Sequence, residues 1–238
     1  MGVLSVDVAI VGAGAAGLMA AIWAGRTDSR RSIVAVDGAI RLGAKILIAG
    51  GGRCNVTHDV VDEQAFAGSS RNAIRNVLRR FDVPETVALF RELGVVLKRE
   101  DTGKLFPTTD RAQTVLDALL AAARAAGIVV RHPWRIEAVE RTDEGFNLVG
   151  PAGSLRARSV VISTGGRSVP KTGSDGHGFV IARALGHTVT PRIFPALVPL
   201  TLPRDHFLTA LAGISTPVTM EVRAGSGRRL ARFTDPHF

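Results

Sequence analysis

The apolar residues of this chain follow two rhythms. Residues 6–11, VDVAIV, form a short run that is apolar except at Asp7. Such a run predicts a strand buried on both faces of a parallel sheet. It runs into GAGAAG, with glycines at 12, 14 and 17, and then into an alanine-rich helix to about Gly25. A second apolar run, SIVAVD, predicts a strand ending at Asp37. Helical spacing follows at 71–81, at 84–94 with Pro84 in a first turn, and at 110–127. Asp110 is the expected N-cap of the last of these, and Gly127 its stop. The stretch VVLKREDTGKLFP predicts a hairpin turning at residues 101–103. IVVR, WRIEAVER, GFNLVG and GSLRARSVVIST read as strands, and the antiparallel group around 135–158 is expected to cover part of the main sheet. Val160–Ser163 predicts one more buried strand, running into Thr164, Gly165 and Gly166. KTGSDGHGFVIARALGH then reads as a loop entering a helix.

The first unit carries a specific chemistry. Strand, glycine turn, helix, strand and acid follow in that order, and Asp37 lies 37 − 12 = 25 residues after Gly12. This is the arrangement of a dinucleotide-binding α/β fold. Gly12 permits the tight turn, Gly14 lets a pyrophosphate approach the backbone, and Gly17 lets helix pack on strand. The helix N-terminus offers free N–H groups and a partial positive charge. Asp37 is placed to accept hydrogen bonds from a ribose. The pair Gly165–Gly166 lies just beyond a later strand, at the sheet edge where open α/β sheets bind ligands.

Composition adds limits. The 238 residues are 46% hydrophobic and 21% charged, enough for one sizeable core and part of a second domain. The net charge is +9, but the arginines are scattered and form no long block, which gives little reason to expect a nucleic-acid partner. A protein acting on nucleic acid is kept as the weaker option. Cys54 is the one cysteine, so neither an intrachain disulfide nor a CxxC pair exists. Asp7 and no basic residue precedes the apolar run at 8–25, and glycines interrupt it, so it reads as neither leader nor membrane span; a cytoplasmic protein is expected. The sequence has no tyrosine, no Ser-His-Asp set, no metal-ligand cluster and no second GxGxxG unit. A separate nicotinamide domain is therefore not expected, and any NAD(P)H would dock transiently as reductant.

The stretch GGGRCNVT, residues 50–57, is open to three readings: a surface loop, a reactive thiol, or backbone brought close to a charged ligand. Lys45 and Arg53 stand on either side of its glycines, and positive groups with exposed N–H groups suit a pyrophosphate or a flavin ring.

Taken together, GAGAAG, GGGRCNVT, STGGRSVPKTGSDGHGF and PALVPL (195–200) resemble bacterial FAD-dependent flavoproteins. These are known as NAD(P)/FAD-dependent oxidoreductases and include aminoacetone oxidase-like FAD-binding enzymes and a bile-acid-inducible flavoprotein. The resemblance covers essentially the whole chain. It implies a Rossmann-like FAD domain over 1–190 and the start of an inserted, mostly β domain over 191–238. It implies that Gly12, Gly14 and Gly17 hold the pyrophosphate and Asp37 the adenosine ribose, where relatives usually carry Glu. Gly51, Gly52, Arg53, Cys54 and Asn55 would line the FAD, Thr164, Gly165 and Gly166 would meet it from the later strand, and backbone around Ile136 would hold adenine. The implied activity is hydride or electron transfer to a small-molecule substrate.

Two departures stand out. The family pattern is closer to TGSTGDGY, so in TGSDGHGF an aspartate is displaced and His177 stands in the place of an acid. Relatives also continue past RRLARFTDPHF through the inserted domain and back to the FAD domain. The alternative to an active oxidoreductase is therefore a dinucleotide-binding module without turnover.

Overall fold

The structure is a computed structural model, and it describes residues 4–66, 70–195, 197, 201–211 and 216–237. The chain clusters into two compact units, Met1–Leu197 and Val198–Phe238. Of the motif at 195–200, only Pro195 and Leu197 fall within the described residues.

The first unit opens with β1 (Leu4–Val11), α1 (Ala15–Thr27) and β2 (Ile33–Val36). A long excursion follows before the chain returns to the sheet. It contains α2 (Ala44–Ile48), β3 (Thr57–His58), α3 (Arg71–Leu78), α4 (Val83–Glu92), β4 (Leu97–Arg99) and β5 (Lys104–Pro107). The three strands of the excursion form their own antiparallel sheet in the order β3-β5-β4. The turn expected at 101–103 joins β4 to β5. Helix α4 starts with a reciprocal capping box, Asp82 accepting from Glu85 N–H and Glu85 accepting from Asp82 N–H, with Pro84 beside it.

Helix α5 (Ala112–Ala125) leads back to β6 (Val129–Arg131), and β7 (Ala138–Thr142), β8 (Gly145–Gly150), β9 (Gly153–Ile162) and α6 (His177–Ala184) complete the unit. Asp110 is not the N-cap of α5. Arg111 holds that position with no side-chain cap. Asp110 instead sits at φ 52° and receives Lys98 Nζ at 2.5 Å. A tertiary ion pair has displaced the local cap.

The main sheet has the order β6-β2-β1-β9-β8-β7. The first four strands are parallel, and β8 and β7 are antiparallel. Strand β9 serves both parts: its start pairs with β8, and Leu155 to Ile162 pairs with β1. The ribbon β7–β8 is thus hydrogen-bonded into the main sheet, not laid on it as a separate piece. Its buried Val139 and Leu148 nevertheless share one cluster with Val34, Val36 and Val11 of the parallel strands. On the opposite face Val8, Ile10, Ile33 and Ala35 pack against Leu18 and Ile22 of α1 and Leu116 and Leu119 of α5. Burial on both faces is why β2 and the Val8–Val11 part of β1 read as unbroken apolar runs. Strand β9 departs from that pattern, since Val161 is 38% exposed.

The second unit contains a hairpin of β10 (Thr216–Arg223) and β11 (Arg229–His237), paired antiparallel. No helix among the described residues is long and apolar enough to cross a membrane.

Candidate functional site

Strand β1 lies between β2, reached on one side, and β9, reached on the other. The chain therefore diverges at the carboxyl ends of β1 and β9, where open α/β sheets form a ligand crevice. A cleft of about 1080 Å³ opens there. That volume is at the upper end for small-molecule and cofactor sites.

The glycine turn forms one wall. Gly12 has φ 100°, and a Cβ on it would stand 2.6 Å from the Ser163 carbonyl oxygen. A Cβ on Gly17 would stand 1.8 Å from the Gly12 carbonyl oxygen. Ser163 Oγ ties the two strand ends together, donating to the carbonyls of Val11 at 3.0 Å and Gly12 at 2.8 Å. Gly14 differs: a Cβ there would meet nothing within 4 Å. The open space lies in front of the α1 N-terminus, which has no side-chain cap, and Gly14, Ala15 and Ala16 all line the cleft. Uncapped N–H groups facing an open space suit an anion.

Asp37 follows β2. Its Oδ2 accepts from Ala13 N–H at 2.7 Å and its Oδ1 from Ala39 N–H at 2.8 Å. The carboxylate therefore fixes the glycine turn as well as facing the cleft. Four cations line the same cleft, Arg41, Lys45, Arg135 and Lys171. Lys45 Nζ donates to the buried Ser174 Oγ at 2.7 Å. The segment carrying Ser174 is tied on its other side too. Arg135 Nη2 meets Asp175 Oδ2 at 2.8 Å, and His177 Nε2 donates to the Glu137 carbonyl at 2.8 Å. Burial raises the Asp175 carboxyl, but the backbone N–H of His177 and then Arg135 together hold it below its ordinary value. His177 thus lines the cleft with its ring tied to the segment around Ile136.

Nine of the residues expected from sequence come together on this cleft. They are Gly12, Gly14, Asp37 and Lys45, then Cys54 and Asn55, and finally Ile136, Thr164 and Gly165. Five do not line it: Gly17, Gly51, Gly52, Arg53 and Gly166. Gly17 acts one layer back, against Gly12. Gly51 and Gly52 lie in the outward-turning middle of their loop, with φ of 67° and 87°. Arg53 points to Glu100, at 2.5 Å, and stacks over the Phe106 ring. Sequence reasoning missed Arg41, Arg135, Ser174 and Asp175 as lining residues. A clue was present in the displaced acid of TGSDGHGF, since Asp175 is that residue and Arg135 is its partner.

Cys54 is buried among Phe90, Ile46 and Val115 and has φ 63°. Burial pushes its thiol up to about 11 from 9.0. The folded thiol therefore keeps its proton between those values, while the unfolded one loses it. Its contribution to stability is complete below pH 9 and is lost as pH rises toward 11. Iodoacetamide at pH 8 should label the native protein slowly and the urea-unfolded protein rapidly. Rapid labelling of the native form would restore Cys54 as a reactive thiol. Among the described residues no group of three or more His, Cys, Asp or Glu is placed to hold a metal ion.

The sequence pattern of this fold recurs in known proteins. Residues 6–224 match the family described as HI0933-like protein Rossmann domain. The chain belongs to the HI0933-like Rossmann-domain family.

Within reach of the HI0933-like chain is the 3-dehydro-bile acid delta(4,6)-reductase of Clostridium scindens, 34% identical over 92% of this chain and 53% of that one. The ribosomal RNA dihydrouridine synthase of Escherichia coli is 31% identical over 92% of this chain and 54% of that one. The HI0933-like chain thus spans about half the length of these relatives. Among solved structures, the 3-ketosteroid-delta4-(5alpha)-dehydrogenase of Rhodococcus jostii RHA1 aligns with a TM-score of 0.59. That alignment covers 77% of this chain and 54% of the other at 16% identity, and it shows a shared fold.

Proposed function

We propose that this chain holds the FAD of an oxidoreductase that reduces a carbon–carbon double bond conjugated to a carbonyl. The cleft supports FAD most directly through one observation: the open space at Gly14, faced by an uncapped helix N-terminus, in a cleft that Arg41 and Lys45 also line. A pyrophosphate fits that donor set, with Asp37 beside it for a ribose and Ile136 beyond for an adenine. When bound, FAD supplies two-electron transfer, and the protein supplies position and electrostatics. Gly12 and Gly17 keep the turn tight, Ser163 locks the turn to β9, and the Lys45–Ser174 and Arg135–Asp175 contacts hold the segment 170–177 along the cleft.

The substrate class comes from the relatives. One is a delta(4,6)-reductase, and the other forms dihydrouridine, which is uridine with hydrogen added across a ring double bond. Both names describe hydrogen added across a double bond conjugated to a carbonyl. A nicotinamide nucleotide is the proposed transient reductant, and a small molecule the proposed substrate. A second reading takes uridine in a structured RNA as substrate; the dihydrouridine synthase relative favours it.

Titrating the purified protein with FAD tests the cofactor. The expected result is a yellow complex that bleaches with a reductant and recovers in air. A protein that binds NAD and no FAD would overturn the reading. With FAD bound, oxidation of NAD(P)H stimulated by a conjugated steroid enone supports the first substrate. Stimulation by ribosomal RNA, with salt-sensitive binding, supports the second. A complex that holds FAD and oxidises no reductant with either is the module without turnover.

A further inference from the structure

The loop 50–54 is the densest run of left-handed backbone among the described residues. Gly50, Gly51, Gly52 and Cys54 have φ of 56°, 67°, 87° and 63°. Its two ends reach the cleft, at Ala49 and at Cys54–Val56, while its middle turns away. Backbone bonds pin the ends: Cys54 N–H donates to the Ala49 carbonyl at 2.9 Å, and Val56 N–H to the Leu105 carbonyl of β5 at 2.9 Å. Something must hold the middle, because three adjacent glycines are free to adopt many other conformations.

Arg53 does this through one ring and two acids. Its guanidinium lies over Phe106, 4.1 Å from the ring centroid. Nη1 meets Glu100 Oε1 at 2.5 Å and Asp110 Oδ1 at 3.7 Å. Lys98 Nζ holds the other oxygen of Asp110 at 2.5 Å. Phe106 is 2% exposed, and a Cβ on Gly50 would stand 2.6 Å from its Cε1. The ring is therefore gripped between the glycine backbone and the guanidinium. A half-exposed ion pair alone contributes little. Here it fixes a cation on a buried ring, and the ring fixes the loop.

We infer that Arg53 is a positioning residue. It clamps the glycine loop onto β5 so that Asn55 and the backbone of Cys54 face the dinucleotide, and it does not touch the dinucleotide itself. This rests on the FAD reading above.

The test uses wild type, Arg53→Ala, Arg53→Lys, Glu100→Gln and the Arg53→Ala/Glu100→Gln double variant. Two readouts are independent of turnover: FAD affinity from quenching of flavin fluorescence, and iodoacetamide labelling of Cys54 without FAD. Arg53→Ala should weaken FAD about tenfold and speed Cys54 labelling about tenfold, with the apoprotein still folded by circular dichroism. Arg53→Lys keeps the charge and loses the planar stack, so it should fall between. The double variant should be no worse than Arg53→Ala, since the two residues act as one unit. Wild-type affinity and wild-type labelling in Arg53→Ala would overturn the clamp and leave the FAD reading intact. Additive effects in the double variant would overturn it too. A wild-type protein that takes up no FAD would overturn the reading and the clamp with it.

Discussion

Alanine at position 17 should lower the stability of the domain by roughly 3 kcal/mol and abolish dinucleotide binding. The new methyl carbon would stand 1.8 Å from the Gly12 carbonyl oxygen and 2.7 Å from Ser163 Oγ. The first neighbour is backbone and has no rotamer to yield. Relief requires α1 to lift from β1 or the Gly12 carbonyl to shift, and the second movement breaks that carbonyl's bond from Ser163. For a chain of this size the loss corresponds to about 6–12 °C in melting temperature. Gly14→Ala is the informative contrast. Its methyl meets nothing within 4 Å, so the fold should melt close to wild type while the methyl takes up space intended for a phosphate. Thermal melts paired with FAD titrations separate the two. If Gly17→Ala melts with wild type, close helix–turn packing is not what that glycine provides.

Asp37→Ala should come next in size. The carboxylate accepts two backbone N–H bonds, from Ala13 at 2.7 Å and Ala39 at 2.8 Å. Hydrogen bonds to a charged acceptor contribute roughly 1.5–3 kcal/mol each, and water will replace part of that here, since Asp37 is only half-buried. A net loss of about 2–3 kcal/mol is expected. FAD affinity should fall more than about tenfold, because the ribose acceptor and the anchor of the glycine turn disappear together. Asp37→Asn should recover part of the stability, since its amide oxygen can keep one of the two bonds. Urea denaturation and FAD titration of the three proteins check this. Unchanged affinity in Asp37→Ala would remove Asp37 from the ribose role.

The first strand, turn, helix and second strand were legible because each depends on a local signal. Unbroken apolar runs mark strands buried on both faces, and the glycines at 12, 14 and 17 sit at fixed offsets from the strand end. What was not legible depends on partners far along the chain. Arg53 looked like a ligand contact beside three glycines, and only the fold brings Phe106, Glu100 and Asp110 to it. The same convergence took Asp110 out of its expected capping position. Ser174 and Asp175 joined the cleft through Lys45 and Arg135, residues on other elements. The ribbon β7–β8 was visible as strands, but its attachment through β9 was not, because one strand pairing in two directions leaves no periodic trace.

That double duty of β9 has a consequence for how the protein is made. Strand β1 pairs with β2 on one edge and with β9 on the other, and Leu4 is matched to Leu155, 155 − 4 = 151 residues later. Ribosomes add roughly 5–20 residues per second. The second edge of β1 therefore stays open for about 8–30 s after it emerges. An open apolar edge is a template for pairing with other chains. During synthesis a central strand of the finished sheet is its most vulnerable one, and the glycine turn that follows it takes its final form only when Ser163 arrives.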